Sequence, residues 1–236
     1  MDEGRDGINI WLAYADLFAG LLVVLGLFYG KQLEQERAAK RELQKAQSKA
    51  VQLLDEVAAQ INKRYKGTDK EVKSDGTQLL LPADLTFQSG KHAIKNDSKS
   101  WLLEIAQELQ KALDQIGADG RGITIEIRGR TDAYPVKGMA SIPTNWELSS
   151  RRASEIIRLF QDKMALNPSR IHIVAVGAAE FEEYDKNFDA NGQLRSAEEL
   201  EPLRRIQIRI IPNYEDLLKS ITNQQTTPRD GAKENK

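Results

Sequence analysis

The sequence predicts an α/β (α+β) protein: a single N-terminal transmembrane helix, a helical linker, and a two-layer domain with helices packed on one sheet. Three observations lead to this prediction. Residues 10–29 are apolar except for Asp16, and residues 31–66 contain neither Pro nor Gly. From there to about residue 212, helical and strand patterns alternate, which is typical of one sheet covered by helices on one side.

The apolar stretch at residues 10–29 is long enough to cross a membrane. About 20 residues at 1.5 Å each span the ~30 Å hydrocarbon core. Residues 1–9 hold one Arg against three acids, and no small-residue cleavage site ends the stretch, so we expect the span to remain in the mature protein. A carboxylate in such a span costs roughly 2.5–3.5 kcal/mol, which makes Asp16 a candidate functional residue. The alternative is a plain anchor whose Asp lies near one end and stays hydrated.

Composition narrows the class of function. The net charge is −1, with Lys and Arg interleaved among Asp and Glu, so nothing indicates nucleic-acid binding. The chain has no cysteine, which excludes disulfides, thiol catalysis and cysteine-based zinc sites. Its two histidines, His92 and His172, are expected to be structural. An enzyme is therefore not predicted; the acidic run with Glu180, Glu182 and Glu183 is expected to be a solvated loop rather than a wall hydrolase site.

Residues 30–66 are predicted to form a helical linker. A thin apolar seam recurs at steps of three and four residues over about two heptads. This seam could pair two copies of the chain as a homodimer, or it could pack on the following domain. Its members are Leu43, Ala46, Ala50, Leu53 and Val57.

Residues 67–212 are predicted to form the two-layer domain. Amphipathic patterns indicate helices at residues 98–116 and 149–164, the second with Ser149 as its N-cap. Apolar or alternating runs indicate strands at residues 78–81, 123–127, 171–176 and 206–211. After a short helical turn at 214–221, the polar tail within residues 213–236 is expected to be largely disordered.

Two motifs make a family resemblance visible. Residues 11–16 read Trp-Leu-Ala-Tyr-Ala-Asp, which resembles the membrane signature of MotB-like stator subunits. Residues 129–132 read Gly-Arg-Thr-Asp, and residues 145–153 read Asn-Trp-Glu-Leu-Ser-Ser-Arg-Arg-Ala; together they resemble the pattern of OmpA-like peptidoglycan-binding domains. Supporting segments are Leu-Thr-Phe-Gln-Ser-Gly at 85–90 and Arg-Arg-Ile-Gln-Ile at 204–208.

The second motif suits the chemistry of peptidoglycan stem peptides, whose diamino acid presents an ammonium and a carboxylate. Asp132 can bind the ammonium, and Arg152 can bind the carboxylate as a bidentate fork. Asn145 could hydrogen-bond the peptide backbone, and the resemblance implies these same roles. Thr131 is expected to support the loop, and Leu148 could be a core residue.

Three departures from the family pattern stand out. The loop at residues 133–144, with two prolines, is longer than the family usually has and could reshape the pocket. Residues 177–180 read Gly-Ala-Ala-Glu and lack the usual second Gly. Leu203 stands where an Asn often precedes the paired arginines.

The first motif implies an ion-carrying role for Asp16. In MotB-like subunits the equivalent Asp binds the transported ion between this helix and a surrounding ring of a MotA-like, multi-span partner. No Ser or Thr lies near Asp16 to coordinate sodium, so protons are favoured, and no cofactor is expected. Small residues at Ala13, Ala15, Ala19 and Gly20 permit close helix approach.

Orientation rests on two conflicting indications. The positive-inside rule favours a cytoplasmic C-terminal domain, because most basic residues follow the span: Arg5 precedes it, whereas Lys31, Arg37, Lys40, Arg41 and Lys45 follow it. A domain that grips peptidoglycan must instead lie outside the inner membrane. We therefore expect a cytoplasmic tail at residues 1–9 and a periplasmic C-terminal domain.

The acidic N-terminus and the Leu-Phe-Ala-Gly-Leu-Leu-Val-Val continuation at 17–24 are more similar to ZorB, the MotB-like subunit of Zorya antiphage defence systems, which acts with ZorA in a membrane complex. The alternatives are a flagellar-type MotB stator subunit and a passive peptidoglycan-binding tether without ion transport.

Overall fold

The structure, a computed structural model, describes residues 3–117, 122–136, 143–164 and 171–213, with the backbone alone at 3–10 and 116–117. The predicted helical turn at 214–221, the polar tail after it and the middle of the 133–144 loop lie outside these residues. The described residues divide into two compact units, one within residues 3–44 and the other within residues 45–213.

A single long helix, α1 (Glu3–Tyr65), covers both the predicted span and the predicted linker. Among the described residues it is the one helix long and apolar enough to cross a membrane. Between Trp11 and Tyr29 its large apolar side chains are 52% to 76% exposed. The first unit therefore leaves its apolar stretch without cover from the described chain.

The second unit is built on a five-stranded sheet in the order β1-β2-β5-β3-β4. Only β3 and β4 are parallel; the other neighbours are antiparallel. The strands are β1 (Lys73–Ser74), β2 (Leu79–Pro82), β3 (Ile123–Arg130), β4 (Ile171–Ala179) and β5 (Arg205–Pro212). The four predicted strands are all present, and the two-residue β1 is the addition.

Three helices complete this unit: α2 (Ala83–Thr86), α3 (Asn96–Gly117) and α4 (Asn145–Gln161). Two short 3-10 helices follow β4, at Tyr184–Asn187 and Glu201–Leu203. Alternate residues of the central strands are buried against the helices. The core they share includes Ile123, Ile125, Ile127, Ile206, Ile208, Trp101, Ile105, Ile156 and Phe160. The predicted fold class is confirmed.

The C-terminal part of α1 belongs to the core of the second unit. In the C-terminal part of α1, Leu53, Leu54 and Val57 are at most 4% exposed and belong to the domain core. The seam thus packs on its own domain along this part, as one of the two expected alternatives had it. The second compact unit begins at residue 45 and so includes the C-terminal part of the segment predicted as linker.

Helix α4 begins earlier than predicted. Its N-cap is Thr144, whose side chain accepts a hydrogen bond from the Glu147 amide. Ser149 lies inside the helix, where its hydroxyl donates to the Trp146 carbonyl. The prediction of Ser149 as N-cap is wrong because Thr144 supplies the cap and residues 145–147 already form the first turn.

Candidate functional site

A cavity of about 680 Å³ lies at one edge of the sheet. Strands β2 and β3 end at this edge and antiparallel β5 begins there, because Pro82 pairs with Arg205 and Gly129 pairs with Ile206. Segments far apart in sequence therefore meet. The cavity is lined by Asp84, Phe87, Gln88, Ser89, Gly90, Lys95, Thr131, Asp132, Tyr134, Pro135, Val136, Asn145, Leu148, Arg152, Ala197 and Arg204. All four residues predicted for peptidoglycan binding are among them.

Asp132 follows β3 and is only 6% exposed. One carboxylate oxygen accepts a hydrogen bond from the Tyr134 amide at 3.0 Å, closing a tight turn. The other accepts from Arg204 Nη1 at 2.7 Å. The predicted ammonium ligand is thus already paired with a cation of its own chain.

Arg204 joins two carboxylates of the cavity. Besides Asp132 it binds Asp84 through Nε and Nη2, at 2.9 and 2.7 Å to Oδ2. Burial works to lower the pKa of the Arg204 guanidinium, but the hydrogen bonds and negative charges of Asp84 and Asp132 outweigh it and raise that pKa. The three side chains form a connected ionic network.

Asn145, the first residue of α4, holds the loop after β3. Its Nδ2 donates to the carbonyls of Asp132 at 3.0 Å and Tyr134 at 2.9 Å. We expected this side chain to bind a peptide backbone of the ligand; in the structure its amide hydrogens instead bind the backbone of the chain itself. It fixes the position of Asp132.

Thr131 is 3% exposed, and its amide donates to the Ala179 carbonyl at 3.1 Å. This hydrogen bond connects the start of the loop after β3 to the end of β4. Its hydroxyl oxygen is buried and has no hydrogen-bond partner among the described residues.

Arg152 is 3% exposed and contacts backbone carbonyls and an aromatic ring. Its Nε donates to the Lys91 carbonyl at 3.0 Å and Nη2 to the Gln88 carbonyl at 3.4 Å. The guanidinium carbon lies 5.0 Å from the centre of the Phe87 ring. Within the described part of the chain, Arg152 forms no ion pair. Burial lowers the pKa of Arg152 to about 10, so it is still a cation at neutral pH.

Two glycines let α4 approach the sheet closely enough to place these groups. A Cβ on Gly129 of β3 would clash with the Ser149 carbonyl, and one on Gly177 of β4 would clash with the Ser150 hydroxyl. The Ser149 hydroxyl in turn accepts a hydrogen bond from the Ala179 amide at 3.2 Å. Close packing of α4 on β3 and β4 therefore fixes the positions of Asn145 and Arg152 relative to this edge of the sheet.

A second group of charges lies on the sheet face opposite the helices. We call it the rear cluster: Arg128, Arg130, Arg205, Glu182 and Glu183. Arg130 is 1% exposed and binds Glu183 at 2.9 Å, and Arg205 binds Glu183 at 2.7 Å. Burial would raise the pKa of Glu183, but hydrogen bonds from Lys186 and Arg130 and the charge of Arg205 lower it to about 2.

The rear cluster corrects the expectation of a solvated acidic loop. Glu182 and Glu183 are partly buried and bound to arginines. The 3-10 helix that follows places Asn187, whose Oδ1 accepts from the Ala133 amide at 2.9 Å. The acidic loop therefore supports the turn that carries Asp132.

Sequence reasoning named Arg204 only as part of a supporting segment and did not connect it with Asp84. Their separation of 120 residues leaves no local pattern to find. Among the described residues, no group of three or more His, Cys, Asp or Glu side chains is arranged to hold a metal ion.

Asp16, the remaining predicted site residue, lies on α1 in the first unit and is exposed. Its neighbours along the helix are the exposed Tyr14 and Leu17. On the same helix, the rings of Trp11 and Tyr14 contact each other with their centroids 6.5 Å apart.

Comparisons with known proteins agree with this fold. Residues 86–195 match the OmpA family. An uncharacterized Bacillus subtilis (strain 168) protein, YtxE, is 26% identical over 178 residues, covering 75% of this chain and just under two thirds of that protein, 66%.

Two solved structures are similar. A MotB-like protein from Desulfovibrio vulgaris aligns with a TM-score of 0.50 and 22% identity over 73% of this chain and 95% of that one. The periplasmic domain of Helicobacter pylori MotB aligns with a TM-score of 0.48 and 21% identity over 71% and 94%. The region matched by the OmpA family contains α3, α4, β3, β4 and most of the residues that line the cavity. The chain therefore carries an OmpA-like domain that follows a long apolar N-terminal helix.

Proposed function

We propose that this protein is a MotB-like, peptidoglycan-anchored subunit of an ion-driven inner-membrane complex. The observation that carries the proposal is Arg152, a buried cation without a carboxylate partner among the described residues, in a cavity that also holds Asp132. A buried charge left unpaired is costly, so its retention favours a ligand that supplies the missing anion.

The stem peptide of peptidoglycan has the matching chemistry. Its diamino acid offers a carboxylate for Arg152 and an ammonium for Asp132. OmpA-like domains are non-enzymatic binding domains, which supports wall binding over wall hydrolysis. The protein is then an anchor with its C-terminal domain in the periplasm.

The membrane part of the proposal rests on α1. Its exposed apolar side chains need cover, which lipid or partner helices provide. The protein is single-pass, with residues 1–9 in the cytoplasm and a multi-span MotA-like partner forming a ring around the spans of a homodimer. Asp16 carries the ion, a proton, between this helix and the ring; moving one charge through the membrane potential is worth ~2.3 kcal/mol per 100 mV.

The proposed membrane complex is most similar to that of Zorya antiphage defence systems. In it this chain has the role of ZorB, and its partner is ZorA-like. The support is the acidic N-terminus and the residues after Asp16. A flagellar-type MotB stator subunit is the second candidate, because the Ala-Tyr-Ala-Asp signature at residues 13–16 is compatible with it as well.

Wall anchoring is tested by co-sedimentation of the full-length, detergent-solubilised chain with purified sacculi. We expect wild type and Arg151→Gln to sediment and Arg152→Gln to remain in solution. Arg151 is the matched control, because it is the adjacent arginine on α4 and is exposed. Equal sedimentation of all three contradicts anchoring through this cavity. Soluble muropeptides released from the sacculi would favour the hydrolase instead.

Ion transport is tested by co-expressing the chain with its MotA-like partner and measuring proton flux and phage resistance. We expect Asp16→Asn to abolish both while the complex still assembles. Unchanged flux or resistance would support the passive tether.

A further inference from the structure

We infer that the protein also binds the glycan strand of peptidoglycan, by stacking sugar rings on exposed aromatic side chains beside the cavity. We call these side chains the aromatic rim: Tyr134, Trp146, Phe181 and Tyr184. The inference rests on the proposed function, which assigns the cavity to the stem peptide alone. It adds the neutral sugar backbone as a second class of ligand.

The aromatic rim lies at one edge of the sheet. Among the described residues of the second unit, its members are the Phe, Tyr and Trp side chains that are 39% to 65% exposed. Because β3 and β4 are parallel, both end at the edge that carries the cavity. Tyr134 follows β3, and Phe181 and Tyr184 follow β4. Trp146 lies in the first turn of α4, next to the cavity residue Asn145.

Tyr134 connects the aromatic rim with the cavity, which it lines. Its amide donates to the Asp132 carboxylate at 3.0 Å, its carbonyl accepts from Asn145 at 2.9 Å, and its hydroxyl donates to the Arg195 carbonyl at 3.0 Å. The residue is thus fixed at its backbone and at the far end of its ring while the ring remains exposed. A ring that is already ordered loses little conformational entropy when a ligand stacks on it.

Trp146 lies on the side of α4 that faces β4. One helical turn later, the Ser150 hydroxyl donates to the Trp146 carbonyl at 2.9 Å, and this hydroxyl would clash with a Cβ on Gly177 of β4. Residues four apart share one face of a helix. Trp146 therefore lies near the end of β4, where Phe181 follows.

The loop that carries Phe181 and Tyr184 is also held in place. The residue after Phe181 is Glu182, which binds Arg128 at 3.0 Å. The Tyr184 ring packs on Phe188 with the two centroids 5.1 Å apart. The rear cluster thus fixes a loop whose two aromatic side chains are left exposed, and exposed apolar groups that are close together indicate a binding surface.

The covalent structure of peptidoglycan places sugars beside the cavity. The diamino acid is the third residue of the stem peptide, and three extended residues span at most about 11 Å. A stem whose diamino acid is bound in the cavity therefore keeps its own sugar within this distance. Neighbouring strands are ~4.8 Å apart, so the end of β4 is within reach of a sugar whose stem is bound beside β3.

The chemistry of the sugars fits the aromatic rim. Both are N-acetylated rings, neutral once the stem is attached, with C–H groups that form apolar faces. An aromatic ring has a negative face that attracts such C–H groups. The carboxylates next to Phe181 in sequence, Glu182 and Glu183, are paired with arginines. A neutral, partly apolar ligand therefore suits this surface.

The test is calorimetric titration of the full-length chain in detergent with two synthetic ligands. One is the diaminopimelic acid tripeptide alone, and the other is the same tripeptide on its N-acetylglucosamine–N-acetylmuramic acid disaccharide. We expect the wild type to bind the disaccharide tripeptide about tenfold more tightly than the free tripeptide, as for two aromatic contacts.

Variants locate the gain in affinity. Trp146→Ala and Phe181→Ala should each reduce the ratio of the two affinities about threefold, and the double variant should bring it close to one. Trp146→Phe should retain most of the ratio because it keeps an aromatic face. Ile211→Ala is the matched control: it removes an exposed apolar side chain at the opposite edge of the sheet and should keep the wild-type ratio.

Tryptophan fluorescence gives a second readout. Trp146 is exposed, whereas Trp101 is fully buried and Trp11 lies in the apolar stretch of α1. The disaccharide tripeptide should change the emission of the wild type more than the free tripeptide does. Trp146→Phe should remove this difference. Far-ultraviolet circular dichroism identifies any variant that has not folded, and Trp146→Leu then replaces Trp146→Ala because it keeps an apolar side chain without an aromatic face.

The outcomes separate this inference from the proposed function. Sedimentation with sacculi, together with equal affinity of the wild type for the two ligands, overturns the inference and leaves wall anchoring intact. An unchanged ratio in the double variant also overturns it. If that variant loses self-association instead, the aromatic rim is an interface with a second copy of the chain. A chain that binds neither ligand and no sacculi overturns both.

Discussion

Two arginines of the same domain are almost equally buried and are paired differently. Arg130, in the rear cluster, is 1% exposed and binds Glu183; Arg152, at the cavity, is 3% exposed and binds carbonyl oxygens. Breaking a buried ion pair destabilises a fold, whereas an unpaired buried cation is itself destabilising. The pairing of Arg130 therefore indicates a role in the stability of the domain, whereas the proposed function assigns Arg152 to a ligand.

The rear cluster and the cavity are nonetheless connected. Glu183 precedes the 3-10 helix Tyr184–Asn187, and Asn187 binds the Ala133 amide next to Asp132. The ionic pairs on one face of the sheet thus help to hold the loop on its edge. Substitutions in the rear cluster should therefore change mainly the stability of the domain, and substitutions in the cavity should change mainly ligand binding.

The largest expected effect on stability comes from Arg130→Gln. It removes the buried cation from Glu183 and leaves that carboxylate with less compensation. The glutamate remains about a third exposed, so we expect a loss of about 2–3 kcal/mol in the free energy of unfolding, at the low end for broken buried pairs. Urea denaturation measures it. Arg158→Gln, which breaks the exposed pair with Glu155, should cost less than about 0.5 kcal/mol and is the matched control.

The second-largest effect on stability is expected from acid, which should weaken the rear cluster. The pKa of Glu183 is about 2 in the folded chain against an ordinary 4.5, so its contribution is complete above about 4.5 and is lost as the pH falls towards 2. Thermal unfolding from pH 6 to pH 2.5 should show a falling midpoint. Glu183→Gln should lower the midpoint at pH 6 and flatten this slope; an unchanged slope would contradict the role given to Glu183.

A smaller effect is expected at Ala179, which ends β4 in the left-handed region with a φ of 45°. This is the position where the family pattern has its second Gly. Ala179→Gly should stabilise the domain by about 0.5–1 kcal/mol, because a left-handed backbone is costly for residues with a Cβ. Ala178→Gly, at a neighbouring strand position, should destabilise it by a similar amount. The two midpoints of thermal unfolding should therefore move in opposite directions.

A small change in stability is also expected for Arg152→Gln. The variant loses hydrogen bonds to the Lys91 and Gln88 carbonyls but also removes a buried unpaired charge. These terms oppose each other, so the free energy of unfolding should stay within about 1 kcal/mol of wild type. A loss as large as that of Arg130→Gln would show that Arg152 is a structural residue.

Much of the fold could be predicted because its helices and strands follow local sequence patterns. The alternation at residues 123–127 and the helical spacing after residue 98 each depend on neighbours within a few positions. The packing partner of the C-terminal part of α1 was harder to predict. An apolar seam on a helix has the same spacing whether it packs against a second copy of the chain or against its own domain. In the structure Leu53, Leu54 and Val57 pack in the core of their own domain, and pairing of two copies stays a prediction.

The site was predictable in part for the same reason. Asp132, Asn145 and Arg152 fall within about 20 residues and match a family pattern. The pairing of Asp132 with Arg204 and of Arg204 with Asp84 depends on β2, β3 and β5 meeting at one edge of the sheet. Ion pairs between residues so far apart in the sequence cannot be predicted from residue spacing.

A structure of the full-length chain with a bound diaminopimelic acid muropeptide tests the central claim most directly. The account predicts a ligand carboxylate oxygen about 2.7–2.9 Å from the Arg152 guanidinium, with the Arg204–Asp132 pair retained. A ligand bound away from this cavity, or Arg152 paired with a carboxylate of the protein itself, would contradict it.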